Sequence, residues 1–156
     1  MTGVRAGRSV TVGVEGIRRP PGLGRLSGFC SRALRAAGFS SWNVAVLLCG
    51  DERMRDLNER YRGLPRPTDV LSFPREQERR EGPVAGDIAI SVETLARNAL
   101  RFGVSENDEM KRLLVHGLLH LAGMDHGRGK GRAMLVRQAR ILDGLRPDVI
   151  YGENEK

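Results

Sequence analysis

Cysteine is scarce in this chain, apolar runs are short, and lysine is almost missing. The two cysteines, Cys30 in a predicted helix and Cys49 at the end of a predicted strand, lack the close spacing of a zinc knuckle or a redox pair. Both are read as small buried apolar residues. No apolar run approaches the roughly 18 residues that a transmembrane helix needs. The stretch from Met1 to Arg25 is interrupted by Gly, Arg and Pro and has no signal-peptide core, so a cytoplasmic protein without a membrane partner is expected. Lysine occurs only at 111, 130 and 156, so arginine carries the net charge of +7 and the pI near 10.4. Such a balance invites a polyanion such as nucleic acid, because cations that neutralise phosphates release counterions. A high-GC genome produces the same arginine excess without selection for RNA binding. At 156 residues the chain has room for one domain and no second. Its 40% hydrophobic and 29% charged residues are those of an ordinary globule.

Periodicity places the elements. Val10, Val12 and Val14 alternate with polar or small residues, as in a half-buried strand. From Arg25 to Ala37, Leu26, Cys30, Ala33, Leu34 and Ala37 fall at helical spacing, with Arg25, Arg32 and Arg35 on another face and Gly38 at the exit. Trp42 to Cys49 reads as a strand, and Gly50 with Asp51 opens a helix through about Tyr61. Thr68 to Phe73, stopped by Pro74, and Val84 to Val92 read as two further strands separated by a charged loop from Arg75 to Pro83. Helices follow over Glu93 to Phe102, from Ser105 with a capping-box-like Asp108, and over Arg132 to Leu145. About four strands and five helices in mixed order predict an α+β or three-layer α/β domain. No internal repeat interrupts it.

All three histidines lie between His116 and His126. His116 and His120 stand at i and i+4 on a predicted helix, so both project from one face, one turn apart. Gly123 can adopt the left-handed conformation at the helix end, after which the chain reverses and brings His126 toward the same ion. Three imidazoles with a free fourth position describe a catalytic zinc site; nickel, copper and iron accept the same ligands. The spacing is that of the metzincin motif H-E-x-x-H-x-x-G-x-x-H. Those proteases place a glutamate base where this chain has Gly117, which weakens a peptidase reading.

The segment His116-Gly-Leu-Leu-His120-Leu-Ala-Gly-Met-Asp-His126 resembles the signature of the YbeY family of endoribonucleases. Leu57-Asn58-Glu59-Arg60-Tyr61-Arg62 with Pro67-Thr68-Asp69-Val70-Leu71-Ser72-Phe73-Pro74 is similar to a second block of that family. Gly86-Asp87-Ile88-Ala89-Ile90-Ser91 is similar to a third, and Met134 and Gln138 match its closing helix. The likeness runs from about residue 42 to 143. Two features depart from it, Leu64-Pro65-Arg66 before the Pro-Thr pair and the Arg75 to Pro83 loop.

The resemblance implies a zincin-like α+β domain with a metal site at the end of a central helix and one zinc ion on His116, His120 and His126. It implies hydrolysis of single-stranded RNA in ribosomal RNA processing, ribosome maturation and quality control. It further implies partners at the ribosome, among small-subunit ribosomal proteins and an assembly GTPase. Arg62, His116 and Asp125 are the catalytic candidates. Arg62 clamps a phosphate with its forked donors, and Asp125 orients an imidazole or relays a proton. Ordinary surface charge for Arg62 and turn formation for Asp125 are the competing explanations. Asp87, Thr68 and Asp69 are open between cleft lining and local hydrogen bonding. The arginine stripe of the first helix, with Arg128, Lys130 and Arg132, is a candidate RNA track. A zinc peptidase and a non-catalytic ribosome-assembly factor with a structural metal are the alternative functions.

Overall fold

The alternation at Val10, Val12 and Val14 forms a strand at one edge of a four-stranded sheet. A computed structural model of the chain describes residues 7–75, 83–124 and 131–152. The elements run β1 (Arg8–Val14), α1 (Leu23–Ala36), β2 (Trp42–Cys49), α2 (Asp51–Arg62), β3 (Val70–Pro74), β4 (Val84–Ser91), α3 (Val92–Phe102), α4 (Glu106–Leu121) and α5 (Gly131–Gly144). The strand order is β1-β2-β4-β3. The first three are parallel, and β3 runs antiparallel to β4. This is the expected α+β arrangement with a mixed sheet.

The period-two pattern divides the two faces of the sheet. Val44, Val46 and Leu48 of β2 and Val84, Ile88 and Ile90 of β4 point into the main core against α1 and α4, with Met134 and Ile141 of α5. The expected helix face of Leu26, Cys30, Ala33, Leu34 and Ala37 is buried there, and Phe29 joins it. Each large apolar side chain so buried contributes roughly 1.5–3 kcal/mol. The opposite face holds a smaller cluster, Cys49, Met54, Leu57, Leu71 and Ala89, roofed by α2. Both cysteines are buried as expected. Burial pushes the Cys30 thiol up to about 12 and, with the nearby Glu15 charge, Cys49 up to about 11.

Three local details depart from expectation. Strand β3 starts at Val70, because Asp69 turns its carboxylate back onto the Val70 N–H at 2.8 Å. It includes Pro74 opposite Gly86, which an edge strand tolerates since no neighbour needs the missing N–H. The arginine stripe of α1 is partly committed to the C-terminal segment. Arg32 pairs with Asp148 at 2.8 Å, and Arg25 donates to the Val149 carbonyl at 3.4 Å. The buried Lys111 donates to the carbonyls of Arg146 and Asp148 at 3.1 and 3.0 Å, fastening that segment along α4. Arg128 and Lys130 lie outside the described residues; Arg132 is exposed.

Candidate functional site

Helix α4 is started by Ser105, whose hydroxyl accepts the Asp108 N–H at 3.0 Å, and its last two turns carry the histidine pair. His116 Nε2 and His120 Nε2 face each other at 3.1 Å. Two nitrogens on one tetrahedral zinc ion, each at 2.0–2.1 Å, stand about 3.3 Å apart, so the pair fits a shared ion. His116 Nδ1 lies 3.1 Å from Gln138 Oε1. An amide oxygen only accepts, so it takes the Nδ1 proton and leaves the Nε2 lone pair aimed at His120. Gln138 is buried on α5 between Met134 and Ile141. Its signal in the sequence is a polar residue within an apolar helical stripe; sequence reasoning placed it in the closing helix and assigned it no role.

After His120 the chain turns at once. Gly123 has φ +94° and donates to the His120 carbonyl at 3.0 Å, while Met124 donates to that of Leu119 at 3.0 Å. This is the left-handed exit expected from the glycine. The third expected ligand, His126, and its neighbour Asp125 lie outside the described residues. Among the described residues there is no group of three potential metal-ligating side chains.

Gly117 sits between the histidines where α4 crosses the sheet. A Cβ there would stand 3.0–3.2 Å from three carbons of Ile88. Ser72 of β3 donates to the Gly117 carbonyl at 3.3 Å, tying the edge strand to the helix at that turn. A glutamate at 117 would have to displace Ile88 by a few tenths of an ångström, so packing as well as composition disfavours the protease base.

Arg62 ends α2 and is exposed, and its side chain has no hydrogen bond or ion pair with the described residues. Its surroundings are well anchored. Gly63 closes the helix in the left-handed conformation, and the buried Asn58 donates to the Arg66 carbonyl at 2.8 Å. The neighbouring Tyr61 ring lies 4.9 Å from Phe73 of β3. Tyr61, the chain neighbour of Arg62, is thus linked to the histidine helix through Phe73, Ser72 and Gly117.

The remaining candidates separate by partner. Asp69 accepts from Val70 and from Asn98 Nδ2 at 3.0 Å, and its main role is to begin β3. Glu109, 1% exposed, is held by Arg112 at 2.9 and 2.6 Å and by Asn98 at 3.2 Å; the hydrogen bonding to Glu109 raises the Arg112 pKa. Asp51 accepts from Ser91 and Thr94 hydroxyls, both at 2.6 Å, and from Arg97 at 2.6 Å. Burial works against its charge, yet these donors together hold its carboxyl below the ordinary range. Asp87, by contrast, is exposed mid-strand and borders a cavity of about 530 Å³ on the open face of the sheet.

The chain matches the family model described as Endoribonuclease YbeY over residues 26–146. It is 42% identical over 139 residues to the Endoribonuclease YbeY of Treponema pallidum strain Nichols, covering 85% of this chain and 87% of that protein. The Treponema denticola protein of the same name is 40% identical over 133 residues, covering 81% and 86%. The solution structure of TM1509 from Thermotoga maritima superposes with a TM-score of 0.63 at 25% identity, covering 88% of this chain and 92% of that one.

Proposed function

The chain belongs to the YbeY endoribonuclease family, and from that premise we propose that it is a zinc-dependent endoribonuclease that cuts single-stranded RNA. The observation that carries the reading is the pair of Nε2 atoms 3.1 Å apart with Gln138 behind one of them. His116 and His120 would hold the ion, with His126 as the third ligand. A histidine-bearing helix packed under the antiparallel edge strand supports a zincin-like description of the fold. The processing of ribosomal RNA, ribosome maturation and quality control, the cytoplasm as the compartment, and small-subunit proteins with an assembly GTPase as partners belong to the same reading, taken from the family.

When bound, zinc supplies Lewis acidity that lowers the pKa of water toward about 7 and draws charge from a phosphoryl oxygen. The chain's own groups do the rest. Gln138 keeps His116 in the tautomer that leaves Nε2 unprotonated. Arg62 binds a phosphate through its fork and offsets the charge that grows during cleavage. Asp125 orients an imidazole or relays a proton. Gly117 takes no proton, so the nucleophile, water or the adjacent 2′-hydroxyl, is not activated by a side chain at that position.

The test is elemental analysis of the purified protein paired with cleavage of a single-stranded RNA with and without chelator. One zinc per chain and chelator-sensitive cleavage restored by zinc are expected. Metal-free protein with undiminished turnover would overturn the reading. An unstructured protein substrate, run in parallel, separates a peptidase. A folded His116→Ala variant that still supports ribosome maturation would point to the assembly-factor alternative.

A further inference from the structure

Helix α2 roofs only one end of the second face of the sheet, and what it leaves bare is unlike ordinary surface. The register aligns Thr11, Ala45, Asp87 and Phe73 in one row straight across all four strands. Gly13, Leu47 and Ala89 form the next row. Small residues make this floor shallow and flat, and one wall is aromatic. Tyr61, 61% exposed, is tilted by 58° against Phe73. The cavity between wall and floor, about 530 Å³, is large enough for a nucleotide.

Arginines stand beside its aromatic wall in the chain: Arg60 and Arg62 flank Tyr61, Arg66 follows in the loop after α2, and Arg75 leaves β3, all of them exposed, while Asp87 is the charged residue among those lining the cavity. Asp87 stands in the floor with its carboxylate 4.0 Å from Arg75, so its charge is offset where a strand would run. Exposed rings beside arginines are the combination on which unpaired bases stack while the backbone is neutralised.

We infer that this open sheet face is a nucleobase subsite: one unpaired base stacks on Tyr61 beside Phe73, and Asp87 accepts hydrogen bonds from its edge. A carboxylate accepts well from a guanine edge, which offers two adjacent N–H groups, and poorly from uracil, whose single N–H lies between two carbonyls. The subsite therefore favours guanine over uracil. The inference rests on the RNA reading above and adds a base-recognition site apart from the histidines.

The experiment uses the whole protein and a 2′-O-methylated pentanucleotide carrying 2-aminopurine at its centre, whose emission is quenched on stacking. Wild type should bind with quenching, Tyr61→Leu should bind about tenfold more weakly without quenching, and Tyr61→Phe should stay within about twofold of wild type. In competition, oligonucleotides with a central guanine should displace the probe better than those with uracil, and Asp87→Asn should erase that preference. A folded Tyr61→Leu protein with unchanged affinity and quenching overturns the subsite and leaves this face to a protein partner, even if RNA cleavage is intact. Ring-dependent binding without any RNA cleavage keeps the subsite and removes the nuclease reading. No binding by wild type overturns the subsite.

Discussion

Ile88 of β4 occupies the space that a side chain at position 117 of α4 would need, its Cδ1 lying 3.0 Å from the point where a Cβ on Gly117 would stand. Glycine inside a helix costs about 1 kcal/mol relative to alanine, and here that cost lets the histidine-bearing turn lie directly on the sheet. Gly117→Ala gains the propensity and loses it again to overpacking of about 1–3 kcal/mol. The expected net loss is about 1 kcal/mol, relieved when combined with Ile88→Val. Gly117→Glu should lose more and acquire no peptidase activity. Urea unfolding of the two singles and the double variant measures the coupling, and strict additivity would show that the contact does not matter.

Gln138 should act on the metal through His116. Gln138→Leu keeps the bulk and deletes the acceptor at 3.1 Å, and zinc affinity should fall about 10- to 100-fold. Gln138→Glu, which retains an acceptor oxygen, should recover most of it. Competition against a chromophoric chelator reads both, and equal affinities in all three proteins would remove Gln138 from the site.

Arg62 is exposed and its side chain engages none of the described residues by hydrogen bond or ion pair, so replacing it should leave the fold alone. Arg62→Glu is expected to keep its zinc content and melting temperature while cleavage of single-stranded RNA falls by about 100-fold or more, an effect in the range of losing a preorganised charge at a reacting phosphate. Full activity in a zinc-loaded Arg62→Glu protein would take Arg62 out of the mechanism.

Asp51 predicts a defined acid sensitivity. Its carboxyl, opposed by burial but favoured by Ser91, Thr94 and Arg97, has a folded pKa below the unfolded one. The unfolded chain therefore binds the proton first. The stabilisation is complete above the unfolded value of about 4 and is lost as pH falls through the lower folded value. Asp51→Asn should be less stable than wild type at pH 6 and should lose less stability between pH 5 and 3. Parallel pH dependence of the two proteins in chemical denaturation would contradict this.

Much of the architecture was legible because it is written in local periods. The strand over Trp42–Cys49, the Ser105 start of α4, the glycine exit at Gly123 and the buried face of α1 all follow from spacing and capping chemistry. The element boundaries missed by a residue or two depend on side chains folding back on backbone, as Asp69 does on Val70. The opposition of Gly86 and Pro74 was not legible. There φ is +149° and a Cβ would collide with the Phe73 carbonyl oxygen and stand 2.7 Å from a Leu121 methyl, a demand made by a strand and a helix distant in the chain.

The sequence by itself determined the elements, the pairing of His116 with His120 on one helical face, and the family, since helical and strand periods and a short motif are properties of neighbouring residues. Only the tertiary structure decided that Gln138 backs His116, that Ile88 crowds any side chain at 117, that Arg32 and Lys111 serve the C-terminal segment, and that Thr11, Ala45, Asp87 and Phe73 share one open row. Those relationships join residues far apart in the chain. They are set by strand order, register and helix packing, which no local pattern encodes.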